Sequence, residues 1–145
     1  MIMTNVLVLN GPNLNLLGTR EPDVYGATTL EMLEQECKSI GEELGFTVDC
    51  QQSNHEGELV DALQQAGSAG TWVIFNPGAY THTSVALHDA IAGSNCKVIE
   101  VHISNVHARE AFRHHSYVSP VSKGTIVGLG TYGYTLALQA IAATS

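Results

Sequence analysis

The chain has 145 residues, with 6 Lys or Arg against 14 Asp or Glu, so its formal net charge at pH 7 is -8. This length suits one domain that buries about two-thirds of the surface exposed by its unfolded chain. The negative charge would repel a phosphate backbone, which excludes a nucleic-acid partner, and no apolar stretch reaches the roughly 18 residues of a membrane-spanning helix.

The amino-terminal part of the chain predicts a strand followed by a long loop. Residues 5–10 form an apolar, β-branched run that ends at Gly11-Pro12, which is typical of a buried strand with a turn after it. Glycine and proline then interrupt any helical period between residues 13 and 27. A loop of this length is usually functional, so we predict a lid over a site at about residues 18–27.

Helices and strands alternate through the rest of the chain. Thr28 and Glu31 have capping-box spacing at the start of a helix that Gly45 ends. Alternation of this kind implies a parallel sheet with helices on both faces. We predict a single catalytic domain with a flavodoxin-like, doubly wound α/β fold of five strands in the order 2-1-3-4-5. The further strands are predicted at residues 46–50, 72–75, 97–102 and 125–129, the helices at 56–69, 83–92 and 132–143, and a short helical turn at 108–114.

Polar residues follow the first, third and fourth predicted strands. These motifs occupy residues 9–26, 75–84 and 98–105. In the order 2-1-3-4-5 the carboxyl ends of these three strands lie side by side, and open α/β sheets bind ligands there. We therefore predict one shared site.

Two ionisable residues lie on the fourth strand. Glu100 and His102 are two residues apart, so they share a face of the sheet, while Ile99 and Val101 face the other way. A carboxylate beside an imidazole can fix the imidazole tautomer and raise its proton affinity, which suits general acid or base catalysis. A hydrogen-bonded structural pair at the end of the sheet is the alternative.

The turn after His102 is a candidate anion site. Residues 103–105 precede the predicted helical turn, whose first backbone N–H groups could bind a carboxylate or phosphate. Ser104 or Asn105 could instead be a helix N-cap.

The loops contain four further candidates. Lowering the pKa of Tyr25 to neutrality requires roughly 4 kcal/mol, comparable to one unit charge at about 4 Å with an effective dielectric near 20, which Arg20 could supply. Spacing alone proves no contact, and by itself it favours a solvated Arg20 and a packed Tyr25. Asn76 ends the third strand and His82 precedes a helix, and each is either a ligand contact or a structural residue.

The cysteines and histidines show no metal-ligand pattern. Cys37, Cys50 and Cys96 are odd in number, lack ligand spacing and lie in or beside apolar segments, which is typical of core cysteines in a reducing compartment. No ligand set such as HExxH is present, so we predict no metal site. The sequence begins without a secretory leader, and we expect a soluble, cytoplasmic protein.

Four strings together resemble one family over nearly the whole chain. They are LNGPNLNLLGTREPDVYG, SNHEGELVDAL, NPGAYTHTSVALHDA and EVHISNVHAREAFRHHS, and they resemble the type II 3-dehydroquinate dehydratases. The resemblance implies no metal or organic cofactor and an anti loss of water from 3-dehydroquinate, through an enolate, to 3-dehydroshikimate. It also implies trimers that assemble into dodecamers. The reaction would serve aromatic biosynthesis in the shikimate pathway or quinate breakdown.

The resemblance also implies catalytic roles. Tyr25 would be the base that removes the proton at C2, and Arg20 would lower the pKa of Tyr25 and stabilise developing negative charge. Asn13 would stabilise the enolate through a water. His102, oriented by Glu100, would protonate the departing C1 hydroxyl.

Substrate contacts follow from the same resemblance, and Arg109 is expected to be a surface residue. The implied contacts are Asn76 and the backbone N–H groups of Ile103 and Ser104 to the carboxylate, His82 and Arg113 to the ring hydroxyls, and Asp89 from an adjacent subunit.

Two other functions use the same fold. A flavodoxin-like module could bind FMN or a small anion in the crevice, and a yellow protein or saturable FMN binding would favour it. A paralogue could have kept the fold and lost turnover. The presence of all five proposed catalytic residues argues against that paralogue; they are Asn13, Arg20, Tyr25, Glu100 and His102.

Overall fold

The computed structural model describes residues 3–19, 23 and 26–144. Five parallel strands form one sheet in the order β2-β1-β3-β4-β5, which confirms the predicted topology. The strands are β1 (Thr4–Asn10), β2 (Phe46–Gln52), β3 (Trp72–Asn76), β4 (Lys97–His102) and β5 (Gly124–Val127). The longer helices of the described part are α1 (Leu30–Glu43), α2 (Glu56–Ala69), α3 (Val85–Ser94) and α4 (Tyr132–Thr144).

Helices cover both faces of the sheet, as predicted. Val6 and Val8 of β1 pack into a core with α1 and α4, whereas Leu7 and Leu9 pack into a second core with α2 and α3. Successive strand residues point to opposite faces, so a central strand with helices on both sides must be apolar at nearly every position. No helix in the described ranges is long and apolar enough to cross a membrane.

The first helix begins one residue later than predicted. Its N-cap is Thr29, whose hydroxyl accepts a hydrogen bond from the backbone N–H of Met32 at 3.2 Å. The predicted capping box of Thr28 and Glu31 is therefore wrong, although the helix itself is present. A capping hydroxyl two or three residues before its partner is enough to fix the start of a helix.

The start of one helix and the end of one strand differ from their predicted positions, each because of a local interaction or backbone angle. The helix predicted from residue 83 begins after Ser84, whose hydroxyl accepts the Leu87 N–H at 2.9 Å. The fifth strand ends at Val127 rather than residue 129, because Gly128 has a φ of 87° and turns the chain out of the extended conformation.

The helical turn predicted at residues 108–114 is wrong as a single element. Two 3₁₀ turns, Val106–Ala108 and Ala111–Arg113, occupy this region, and the backbone between them is extended (ψ of -163° at Arg109 and 147° at Glu110). Asn105 caps the first turn by accepting the His107 N–H at 3.1 Å. No continuous helix directly follows β4, so no helix dipole is available there to bind an anion.

Candidate active site

A cavity of about 240 Å³ opens at the carboxyl ends of β1, β3 and β4. Parallel strands bring these ends to one edge of the sheet, and each of the three polar motifs contributes to the lining. The predicted site residues that line the cavity are Asn13, Asn76, His82, His102, Ile103, Ser104 and Arg113.

Two of the loops around the cavity are in direct backbone contact. The N–H of Gly11 donates to the carbonyl of Asn76 at 2.8 Å. A Cβ at position 11 would lie 2.5 Å from the carbonyl oxygen of Pro77, so this approach requires glycine. The contact holds the loop after β1 against the loop after β3.

Glu100 of β4 is fully buried, and four side chains donate hydrogen bonds to its carboxylate. Its Oε2 accepts from His102 Nε2 and Thr81 Oγ1, both at 2.5 Å, and from Ser116 Oγ at 3.0 Å. Its Oε1 accepts from Ser119 Oγ at 2.5 Å and from Ser116 at 3.3 Å. An ionised carboxylate has about four acceptor sites, so these donors satisfy it.

These hydrogen bonds keep Glu100 ionised. Burial alone would raise the pKa of the carboxyl, but the hydrogen bond and positive charge of His102, with the hydroxyls of Ser119 and Thr81, outweigh it and hold the pKa below its ordinary value. An ionised carboxylate only accepts hydrogen bonds, so Nε2 of His102 is the nitrogen that donates to it. Nδ1 of His102 then remains for another partner.

His82 lies beside His102 in the lining of the cavity. The two imidazole rings stack with centroids 6.4 Å apart and planes inclined by 20°. Nδ1 of His82 is 2.8 Å from the carbonyl of His115, which can only accept, so Nδ1 carries the proton and Nε2 is an acceptor. Burial lowers the pKa of His82, and the charges of His102 and Arg113 act in the same direction, which favours this neutral form.

Asn76 belongs to a second, uncharged network. Its Nδ2 donates to the phenol oxygen of Tyr134 at 2.9 Å, and that phenol donates to Oδ1 of Asn10 at 2.6 Å. Oδ1 of Asn76 accepts the N–H of Gly78 at 3.0 Å. One hydrogen of the Asn76 amide is thereby committed to Tyr134, and the other is left for the cavity.

Asn13 stands at the mouth of the cavity. Its φ of 70° places it in the left-handed region, which asparagine tolerates better than most residues. Its backbone N–H donates to Oδ1 of Asn54 at 3.0 Å, and its side chain caps no helix. No hydrogen bond of this side chain to another described residue is present, so within that part of the chain its amide is available to a ligand.

Arg109 is not the surface residue that we expected. Its side chain is only 17% exposed, it lines the cavity with Arg113, and its NH1 donates to Ser104 Oγ at 3.3 Å. The Nε atom of Arg113 donates to Glu110 at 2.8 Å. Residues 109 and 113 are four apart, so even a single helical turn would put them on one face, and the expectation of a surface Arg109 did not use that spacing.

One predicted site residue of the described part does not join this group. Asp89 lies on α3 with its side chain 73% exposed, and it contacts His88 rather than the cavity. Arg20 and Tyr25 lie outside the described residues.

Sequence reasoning missed the hydroxyl groups and the phenol that support the site. Thr81, Ser116 and Ser119 surround Glu100, and Tyr134 connects two asparagines. Their hydrogen-bond partners are 16 to 124 residues away along the chain, so no local sequence pattern predicts these contacts.

The remaining titratable residues include three cysteines whose thiols are weakly acidic. Among the described residues, no group of three or more His, Cys, Asp or Glu side chains is placed to hold a metal ion. Burial raises the pKa of Cys37 to about 12 and the pKa values of Cys50 and Cys96 to about 11, so these thiols are poor nucleophiles at neutral pH.

Comparison with known proteins is consistent along nearly the whole chain. The model of the family "Dehydroquinase class II" matches residues 4–142. The 3-dehydroquinate dehydratase of Marinomonas sp. (strain MWYL1) is 60% identical over 96% of both chains, and that of Variovorax paradoxus (strain S110) is 59% identical over 96% of this chain and 99% of its own. The crystal structure of a type II dehydroquinase from Propionibacterium acnes superposes with a TM-score of 0.95 at 46% identity, covering 98% of each chain.

Proposed function

The chain belongs to the class II dehydroquinase family, and from this we propose that it removes water from 3-dehydroquinate by anti elimination to give 3-dehydroshikimate. The observation that carries the chemistry is the buried, ionised Glu100 that holds His102 at the edge of the cavity. The enzyme is a hydro-lyase. Its reaction is a step of the shikimate pathway, and quinate breakdown uses the same step.

The base half of the reaction is assigned to the lid. In this proposal Tyr25, as tyrosinate, takes the C2 proton next to the C3 ketone, and Arg20 stabilises both the tyrosinate and the developing enolate. These two roles rest on family membership. Asn13 would stabilise the enolate through a water, and the support for this is its amide at the mouth of the cavity.

The acid half of the reaction is assigned to His102. Collapse of the enolate breaks the C1–O bond, and His102 gives its proton to the departing hydroxyl, which leaves as water. Since Nε2 donates to Glu100, the transferred proton would come from Nδ1. Glu100 supports this step because its hydrogen bond to Nε2 fixes the orientation of the imidazole.

The cavity residues are proposed to bind the rest of the substrate. The second amide hydrogen of Asn76 and the backbone N–H groups of Ile103 and Ser104 would hold the carboxylate. The Nε2 acceptor of His82 and the guanidinium of Arg113 would contact ring hydroxyls. Support comes from the lining of the cavity and from the neutral form of His82.

Assembly into trimers and then dodecamers is part of the proposal. Asp89 would complete the site of an adjacent subunit, and its exposed carboxylate on α3 fits that role. Sedimentation should give a dodecamer, and Asp89→Ala should raise KM. A fully active monomer would contradict both statements.

The lid, the domain organisation and the location of the enzyme are also proposals. Residues at about 18–27 would close over the bound substrate, within one catalytic domain that spans residues 1–145. The free, unreactive thiols agree with work in the reducing cytoplasm, which cell fractionation would check.

The activity itself has a direct test. Protein treated with a chelator and mixed with 3-dehydroquinate should produce the ultraviolet absorbance of the conjugated enone. The His102→Ala variant should not produce it at a comparable rate. Saturable FMN binding without this absorbance would instead favour the flavodoxin-like binding module.

A further inference from the structure

We propose that Ser119 is a positioning residue of the dehydration: its hydroxyl anchors the Glu100 oxygen that faces away from His102, and through Glu100 it fixes the imidazole. This inference rests on the proposed roles of Glu100 and His102. It adds a residue from the loop before β5 to the acid half of the reaction.

The two oxygens of Glu100 are held differently. Oε2 receives two contacts at 2.5 Å, from His102 and Thr81. Oε1 receives one contact of that length, from Ser119, while its other donor, Ser116, is 3.3 Å away and closer to Oε2. A carboxylate can rotate about the bond to its side chain, and a donor on the far oxygen opposes that rotation. Loss of the Ser119 hydroxyl would therefore allow the Glu100 carboxylate to rotate, and the imidazole of His102, which donates to that carboxylate, would be held less firmly.

Ser119 is a cleaner probe than the other hydroxyls around Glu100. Ser116 also accepts the backbone N–H groups of Val118 and Ser119, each at 3.0 Å, so it shapes the loop. Within the described part of the chain, the hydroxyl of Ser119 contacts only Glu100 and, at 3.4 Å, the hydroxyl of Thr125. Replacing Ser119 removes a donor to the carboxylate and leaves the turn intact.

The same loop supplies a matched control. Ser122 donates to the carbonyl of Val118 at 2.8 Å and does not contact Glu100. Ser119→Ala and Ser122→Ala each remove one hydroxyl from a partly buried serine of this loop. Only Ser119→Ala removes a hydrogen bond to the carboxylate of Glu100.

The charge environment of Glu100 defines the pH test. The hydroxyl of Ser119 is one of the groups that lower the pKa of Glu100 against the effect of burial, so its removal must move that pKa upward. A second cavity borders Glu100, and the titratable and charged side chains that line it with Glu100 are His82, His102, His107, Arg113, His114 and His115.

Kinetics over a range of pH provide the first readout. Small misplacement of a catalytic group costs one or two orders of magnitude in rate, so we expect kcat of Ser119→Ala to fall about tenfold with KM nearly unchanged. The acidic limb of its kcat profile should move to higher pH. Ser119→Thr, which keeps the hydroxyl, should restore both, and Ser122→Ala should behave as wild type. Equal losses in the two alanine variants, or an unmoved acidic limb, would overturn the inference.

Spectroscopy separates this inference from the proposed function. In ligand-free protein, the carboxyl ¹³C signal of Glu100 and the ring ¹⁵N signals of His102 need no turnover to be observed. We expect both to shift in Ser119→Ala and not in Ser122→Ala. Unchanged signals would overturn the role of Ser119 even in an active enzyme, whereas a wild type without dehydratase activity would overturn the proposed function instead.

Discussion

Two polar networks lie at the same edge of the sheet but on opposite faces. The charged network consists of Glu100, His102, Thr81, Ser116 and Ser119 and lies on the face covered by α2 and α3. The neutral network, on the face covered by α1 and α4, joins the side chains of Asn10, Tyr134 and Asn76. Both reach the cavity, through His102 and Asn76 respectively.

The two networks differ in how completely they are satisfied. In the charged network both carboxylate oxygens of Glu100 have donors, whereas in the neutral network the buried Nδ2 of Asn10 has no hydrogen-bond partner among the described residues. An unpaired amide hydrogen costs far less than an uncompensated buried charge, so the fold tolerates the first and not the second. Proton transfer is therefore expected at the charged network and substrate positioning at the neutral one.

The largest effect should come from His102, the one member of the charged network that lines the cavity. General acid catalysis contributes about 10² to 10⁴ in rate, so His102→Ala should lower kcat about 1,000-fold. Steady-state assays at saturating 3-dehydroquinate measure this. The exposed His55 supplies the control, and comparable losses in His55→Ala and His102→Ala would contradict the assignment.

Removing the charge of Glu100 should have the next largest effect. Glu100→Gln keeps the volume but presents an amide to hydroxyl donors, and loss of an orienting partner typically costs 10- to 100-fold, so kcat should fall about 100-fold. Glu58 also accepts from a serine, at 2.5 Å, but at the surface. Glu58→Gln should leave kcat unchanged; a wild-type kcat in Glu100→Gln would mean that the pair is only structural.

The arginines beside the charged network should act on binding. Arg113→Ala should raise KM about tenfold with a smaller change in kcat, as expected when a contact made equally in the ground and transition states is lost. Because Arg109 also lines the cavity, Arg109→Ala should raise KM as well. The exposed Lys38 is the matched cation, and an equal rise of KM in Lys38→Ala would remove both arginines from the site.

Breaking the neutral network should have a smaller and different effect. Tyr134→Phe leaves Asn10 and Asn76 without their shared partner, so the free energy of unfolding should drop by about 1–3 kcal/mol and KM should rise a few-fold with kcat maintained. Denaturant unfolding and steady-state assays measure these changes. Tyr132 is 57% exposed, and Tyr132→Phe should change neither quantity. A selective loss of kcat in Tyr134→Phe would place chemistry in the neutral network.

The networks should also fail at opposite ends of the pH scale. The folded-state pKa of Glu100 lies below its ordinary 4.5, so its contribution to stability is present above that value and is lost as pH falls through the folded-state pKa. The pKa of Tyr134 is raised above its ordinary 10.0 because the phenol is buried, so its contribution is lost as pH rises beyond that value. Unfolding free energies of wild type, Glu100→Gln and Tyr134→Phe against pH check this. Glu100→Gln should lack the loss of stability at acidic pH, and Tyr134→Phe should lack the loss at alkaline pH.

The sequence predicted the sheet and most of the cavity because both depend on strand alternation. Glu100 and His102 share a face by their spacing, and strand order alone brings Asn76 to the same edge. The roles of Ser119 and Tyr134 were not predicted, because the packing of a loop and a helix decides their contacts. Spacing in the sequence does not encode that packing. Arg109 was misjudged although residues 109 and 113 are four apart, a spacing that puts both on one face of a helical turn.

Hydrogen exchange at C2 of 3-dehydroquinate tests most directly whether the charged network serves the acid step alone. His102→Ala incubated with substrate in deuterated water should exchange the C2 proton at a rate near that of wild type while water loss nearly stops. If exchange and water loss fall together, His102 takes part in enolate formation, and the separation of base and acid groups is wrong.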